Sequence, residues 1–397
     1  MRKNLLFLVH RIPYPPNKGD KIRSFHFLKA LSQQYQIFLG SFIDDPNDRQ
    51  YADTVKSYCQ ESYFESLDPL QSKIKSLTGL LTGKALSLPY YKNPKLQQWV
   101  NDVIERHQIR KVLIFSSVMG QYVLNREDLT LIADYVDVDS DKWRQYAEKK
   151  KWPENWIYRR ESERLLEFEK QLISQAKAGF FVSEQEASLF KTLAPEFEAR
   201  IGSVNNGVDT DYFSPDHAFD SPYRPESQVL AFTGAMDYWA NVDAVKWFAE
   251  KVFPAIRKKH PDTEFYIVGS KPTKDVLSLA QIEGVVVTGS VDDVRPFIAH
   301  ADLVVTPLRI ARGIQNKVLE AMAMAKPVIA TSMAIEGIPF DDSLNVAIID
   351  DAQPFADRVC EALAQGKGGK RSEGNRRFVL ENFSWQTSTD RLIELIG

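Results

Sequence analysis

Two cysteines in 397 residues, Cys59 and Cys360, leave no basis for a disulfide framework and point to a reducing compartment. Histidine is also scarce: the six present lie singly, without the spacing of metal ligands, and no Ser-His-Asp or Cys-His arrangement offers a nucleophile. Neither sign of charge is in large excess. The formal net charge of −3 gives no general attraction to nucleic acid, so any basic patch must act locally. No stretch approaches the ~18–20 apolar residues needed to span a bilayer. Arg2 and Lys3 do precede an apolar run, Leu5 to Val9, but it is short and passes into His10-Arg11-Ile12-Pro13 without a small-residue cleavage site. It reads as a first buried strand rather than a signal peptide. Low-complexity tracts are absent as well.

What is present is an ordinary globular composition, 44% hydrophobic and 26% charged, of a length that favours two domains of roughly 200 residues each. Short β-rich runs alternate with helical patterns throughout, which predicts parallel sheets covered by helices on both faces, an α/β doubly wound architecture. The first half carries strand patterns at 5–9, 37–41, 112–115, 131–135, 179–182 and 201–204. The second half carries them at 229–233, 265–268, 285–288, 303–306, 328–330 and 346–349. A break falls at Asn205-Asn206-Gly207-Val208-Asp209, before the polar, proline-bearing stretch from Ser214 to Pro225, so the domains are expected at 1–205 and 206–375. A helix over Ala244 to His260 has Val245, Phe248, Val252 and Ile256 on one stripe, with a kink expected at Pro254. Gly366–Gly369 reads as a loop, and a final helical segment is expected over 376–397.

The most informative stretch runs from Asp302 to Thr331. A strand (303–305) leads into a loop with Arg309, Arg312 and Gly313, then a helix from about Asn316 to Ala325, then a second strand after Pro327. In such a βαβ unit the helix N-terminus gathers backbone N–H groups, the positive dipole end and basic side chains, which together suit an anion. Glu320, one turn into the same helix, repels phosphate and suits hydroxyl groups instead. A ligand with both a diphosphate and a ribose satisfies the whole set.

With Glu320 in LEAMA, the wording RIARGIQNKVLEAMAM and the N-terminal HRIPYPPNKGDKIRS, the chain resembles the retaining family 4 glycosyltransferases, and within them the sugar transferases associated with bacterial exopolysaccharide and PEP-CTERM/exosortase loci. The resemblance covers nearly the whole chain. It implies the GT-B fold, two Rossmann-like domains facing a cleft, with the first on the acceptor side, the second binding a nucleotide sugar, and the C-terminal helix crossing back to the first. It also implies transfer of a hexosyl unit from a nucleotide-diphosphate sugar to a glycan or polyprenyl-diphosphate-linked glycan, with retained configuration, no metal and no further cofactor, in the cytoplasm or at the inner face of its membrane. Two departures stand out. The family's first glutamate is replaced by Arg312, and the basic pair common after the second domain's first strand is replaced by Met236 and Ala240. A GT-B sugar-nucleotide epimerase and a non-catalytic nucleotide-sugar-binding subunit therefore stay as alternatives.

Site expectations follow residue by residue. Arg309, Lys317 and Arg312 would neutralise the leaving diphosphate, with Gly313, Ile314, Gln315 and Asn316 bringing backbone close to it. Gly234 is expected to add backbone contacts, and Thr288-Gly289 to meet the nucleobase. In the first domain, Asn17 to Lys21, with Gly19 and Asp20, link the first strand to a helix expected from near Ile22, in a loop that the resemblance sets beside the scissile bond. Asp134, Asp137, Asp139 and Asp141 form an acidic cluster past a strand end. It could bind Mg²⁺, act as acid or base, or hold sugar hydroxyls, with Asp137 or Asp139 the favoured contact; helix capping by Asp139 or Ser140 is the structural alternative. Residues 142–160 carry seven Lys or Arg against two Glu, interleaved with five aromatics. That pattern suits an anionic membrane or lipid diphosphate, a nucleic acid through stacking, or a solvated face with tucked aromatics. The overall charge argues against nucleic acid.

Overall fold

The computed structural model describes residues 2–311, 313–340, 343–364 and 371–397. They form two compact units, Met1–Asn206 with Ser388–Gly397, and Gly207–Thr387.

In the first unit seven parallel strands lie in the order β3-β2-β1-β4-β5-β6-β7. They are β1 (Lys3–Val9), β2 (Tyr35–Ile43), β3 (Glu61–Ser66), β4 (Lys111–Phe115), β5 (Thr130–Val136), β6 (Ala176–Phe181) and β7 (Ile201–Ser203). The unbroken apolar run Leu5 to Val9 is fully buried, as a central strand with both faces covered must be. Edge strand β3 was not expected, because only Tyr63 and Phe64 of ESYFES are apolar and its residues are half-buried at best. The first helix, Gly19–Gln34, begins three residues earlier than the pattern suggested, at Gly19 itself.

Six parallel strands form the second sheet, in the order β10-β9-β8-β11-β12-β13. These are β8 (Gln228–Thr233), β9 (Thr263–Val268), β10 (Val285–Gly289), β11 (Leu303–Thr306), β12 (Val328–Ala330) and β13 (Val346–Ile348). Strand order reverses between β8 and β11, and the crevice beyond the carboxyl ends at such a switch point is where open α/β sheets take ligands.

Two helix expectations need correction. The segment expected as one helix over 244–260 begins earlier and is interrupted: Trp239–Trp247 is α-helical, Phe248–Val252 is a π turn, and Phe253–Lys259 resumes the α-helix. Pro254, at the start of that last piece, has no N–H to donate to the preceding turn, and the widened turn absorbs the mismatch. The final segment is two helices, Glu373–Asn382 and Trp385–Ile396. They part at Phe383, whose carbonyl accepts the Val208 N–H at 2.7 Å. The loop expected at 366–369 lies outside the described residues.

Candidate functional site

Immediately beyond the carboxyl ends of β8 and β9 stand Gly234 and Gly269, both at a positive φ that side-chain-bearing residues rarely adopt. A Cβ on Gly269 would lie 1.6 Å from the Gly234 carbonyl oxygen, and one on Gly234 would lie 2.8 Å from Asn241 Nδ2 and 3.1 Å from Lys317 Nζ. The strand ends thus bring bare backbone against the helix Asn316–Ala323 that follows β11. Between them is a cavity of about 550 Å³, bounded by Gly234 and Ala235, Gly269 and Ser270, Ser290 and Val291, and the stretch Ile314 to Lys317 with Glu320. Its size is that of a small-molecule site.

Two opposite charges sit on that helix, one turn apart. Lys317 Nζ donates to Asn241 Oδ1 at 2.5 Å and stands 4.5 Å above the Phe232 ring. Burial pushes its ammonium down to about 8, Glu320 opposing the shift. Glu320 is pushed up to about 7 by burial, with Lys317 opposing. Each group is short of the solvation its charge needs, so each gains from a ligand that supplies it: an anion for Lys317, hydroxyl donors for Glu320. The helix begins at this cavity, whose wall includes Ile314 to Lys317, and its positive dipole end favours an anion there.

Of the residues the sequence pointed to, Gly234, Ile314, Gln315, Asn316, Lys317 and Glu320 line the cavity. Arg309 does not. Its Nε donates to Asp243 Oδ2 at 3.0 Å and its guanidinium lies 5.8 Å from the Trp247 ring, so its charge is already matched on the neighbouring helix. Gly313 holds φ +69°, a turn that favours glycine, but stands outside the wall. Thr288 and Gly289 also lie off it, the Thr288 hydroxyl donating to the Gly289 carbonyl at 2.9 Å, whereas Ser290 and Val291 of the same loop line it. Arg312 lies outside the described residues. Asn241 and Gly269 were missed. The repeated strand-glycine ending of FTG, IVG and VTG at 232–234, 267–269 and 287–289 could have revealed Gly269, whereas nothing local marks Asn241.

The first unit's candidates gather at the carboxyl ends of β1 and β5. Asp20, in the first turn after Gly19, faces His10 Nε2 at 3.3 Å and Arg11 Nη1 at 3.0 Å. Burial works to raise its carboxyl, but His10 and Arg11 hold it well below the usual carboxylate range. The acidic cluster does not converge. Asp134 is wholly buried on Arg23, with Nε to Oδ2 at 2.7 Å, and Asp141 accepts from Arg144 Nε at 2.7 Å. Asp137 and Asp139 share Lys142 Nζ, at 2.7 and 3.2 Å. Burial raises Asp139, Lys142 opposing. Neither Asp139 nor Ser140 caps the helix Asp139–Lys149: its N-cap is Val138, without a side-chain bond. The Ser140 hydroxyl instead donates to Glu169 at 2.5 Å. Glu169, a buried carboxyl pushed up to about 8 by desolvation, thereby fixes the loop that presents Asp137 and Asp139.

Residues 227–365 match the family described as Glycosyl transferases group 1. A GDP-mannose-dependent alpha-(1-6)-phosphatidylinositol monomannoside mannosyltransferase of Mycolicibacterium smegmatis is 26% identical over 239 residues, 55% of this chain and 61% of that protein. An uncharacterized protein in the cps region of Klebsiella pneumoniae is 24% identical over 163 residues, 39% of this chain and 42% of that protein. The matches thus span less than two thirds of either relative. Among solved structures, a glycosyltransferase from Rickettsia africae superposes with a TM-score of 0.66 at 14% identity, covering 100% of this chain and 98% of its own. Anabaena HepE in complex with UDP gives 0.63 at 15% identity, covering 98% of each chain. Residues 227–365 thus match the glycosyl transferases group 1 family, within a chain whose two parallel-sheet units share the fold of the GT-B glycosyltransferases.

Proposed function

We propose that this chain transfers a hexosyl unit from a nucleotide-diphosphate sugar to a glycan or lipid-linked glycan, with retention, in exopolysaccharide biosynthesis. The observation that carries the reading is the pairing of Lys317 and Glu320 on one helix start, in a cavity that also offers bare backbone at Gly234 and Gly269. Lys317, moved off Asn241, would neutralise the departing diphosphate together with the first-turn N–H groups. Glu320 would accept the ribose hydroxyls. HepE was solved with UDP and with UDP-glucose, which supports a donor of that class here. Retention needs no enzyme nucleophile in this scheme: the acceptor hydroxyl attacks from the face the leaving group departs, and Asp137 or Asp139 contacts sugar or acceptor after exchanging its bond to Lys142. The reaction would take place in the cytoplasm, at the membrane's inner face if the acceptor is polyprenyl-linked.

The test is nucleotide release. Purified protein given a panel of nucleotide sugars should release nucleotide only when glycan or lipid acceptors are added, and Glu320→Ala should lower the rate about a hundredfold. Interconversion of sugars without acceptor would mark an epimerase. Binding without any turnover would mark a non-catalytic subunit, a reading that Arg309 favours by pairing with Asp243 rather than facing the cavity.

A further inference from the structure

The helices Pro69–Ser76 and Thr78–Thr82 are amphipathic in the inverted sense. Leu77, between them, keeps helical backbone angles, so the two run on as one. Leu70, Ile74, Leu77 and Leu81 recur at helical spacing and fall within about 60° of one another around the axis. A stripe of this kind normally packs on the core. Here it faces outward: Leu70 is 73% exposed, Ile74 71% and Leu81 90%, while the buried side of the same helix holds Ser72 and Gly79. Lys73 lies on the edge beside the stripe and Lys84 follows the left-handed Gly83 that ends the helix; both are exposed, and 69–84 contains no Asp or Glu.

This stripe has a neighbour of the same character. Arg160, in the helix Glu154–Gln175, donates to the Gly79 and Lys84 carbonyls at 2.8 and 3.0 Å, which latches the start of that helix beside Leu80 and Leu81. Trp156, one turn before Arg160, is 55% exposed, and Trp152 is 80% exposed. Lys149, Lys151 and Arg159, all exposed, lie within three residues of one or other indole in the sequence.

We propose that this face, the segment 69–84 with Trp152 and Trp156, is where the first unit docks on a bilayer containing anionic lipid. Leucines of an exposed stripe enter the acyl boundary, indoles settle at headgroup level, and lysines meet the phosphates. A second copy of the chain is the poorer occupant, because a self-complementary contact would set lysine against lysine. Among the described residues no helix is long and apolar enough to cross a membrane, so contact through this face would be of the kind that lies on the surface. The face belongs to the first unit, and the inference stands whether or not the second unit binds a nucleotide sugar.

Flotation of the full chain with vesicles tests it. Protein should float with phosphatidylglycerol/phosphatidylethanolamine vesicles at low salt, stay behind with pure phosphatidylcholine, and detach as salt approaches about 0.5 M. The variant Ile74→Ser/Leu81→Ser should bind the anionic vesicles at least about tenfold more weakly. Its side chains are exposed, so thermal unfolding and nucleotide binding should match the parent; Trp152→Ser/Trp156→Ser serves as an independent variant with the same expected loss. Protein that stays unbound with the anionic vesicles overturns the proposal. So does binding that both variants leave unchanged, or a self-association of the parent that Ile74→Ser/Leu81→Ser abolishes without vesicles.

Discussion

Gly269 and Lys317 carry the residue-scale argument. A methyl group at 269 would overlap the Gly234 carbonyl at 1.6 Å, and backbone on both sides cannot yield as a side-chain tip would. Gly269→Ala should therefore destabilise the second unit by roughly 3 kcal/mol or more and abolish nucleotide binding, read by denaturant unfolding and calorimetry. An unfolding midpoint equal to the parent's contradicts the reading of this turn. Lys317 makes a pH-dependent prediction. Its ammonium is held at about 8 by burial, below the ordinary lysine value, and an anion would pull it back up. Glu320, pushed up to about 7, ionises first and already weakens diphosphate binding near that pH; the free Lys317 loses its proton above pH 8, so affinity should fall further as pH rises through 8 to 9.5. Lys317→Met should bind weakly and lose that slope. A parent affinity flat to pH 9.5 would show that another cation holds the ligand.

At the scale of elements, the helix Gly19–Gln34 is pinned to β5 by a fully buried pair, Arg23 Nε on Asp134 Oδ2 at 2.7 Å, with Arg23 Nη1 on Asn206 Oδ1 at 2.9 Å and the guanidinium 4.6 Å from the Phe27 ring. Arg23→Met strands a buried carboxylate and should cost about 3–5 kcal/mol in urea unfolding, most of which Asp134→Asn on the same background should restore. Equal losses in single and double variants would argue that Arg23 acts by packing alone. That pair also marks the boundary of what sequence periodicity reveals. Twelve strand runs, LLFLV and LVVT among them, announced themselves because a parallel strand covered on both faces is mostly apolar. Arg23, by contrast, looks like a surface cation among polar neighbours, and its partner is 111 residues away. The same distance effect governed the site. Lys317 and Glu320 were legible because both lie on one short helix, whereas Arg309 looked equally suitable until Asp243, 66 residues earlier, proved to hold it. Local spacing places residues on one face of an element. Which of two charges turns to the cavity is decided by an element the spacing does not contain.

At the scale of the whole molecule, the chain builds one sheet, then a second, and gives its last ten residues to the first unit. Leu392 and Ile396 are buried there, and Lys111 and Lys177 Nζ reach the carbonyls of Ile396 and Leu395 at 2.9 and 3.0 Å. Deleting 388–397 should lower the stability of the first unit by several kcal/mol, as two large side chains leave a core, with diphosphate binding in the second unit retained; hydrogen exchange resolved by segment would separate the two effects, and equal loss of protection in both units would contradict it. The account as a whole rests on one cavity gripping a diphosphate through Lys317 and a ribose through Glu320. Its most direct test is calorimetric titration of the parent and Glu320→Ala with a nucleoside diphosphate and with its 2′,3′-dideoxy form. Loss of hydrogen bonds to a charged carboxylate should cost the ribose ligand about tenfold or more in affinity and leave the dideoxy ligand unchanged. Equal weakening of both ligands, or of neither, would contradict the assignment of Glu320 to the ribose.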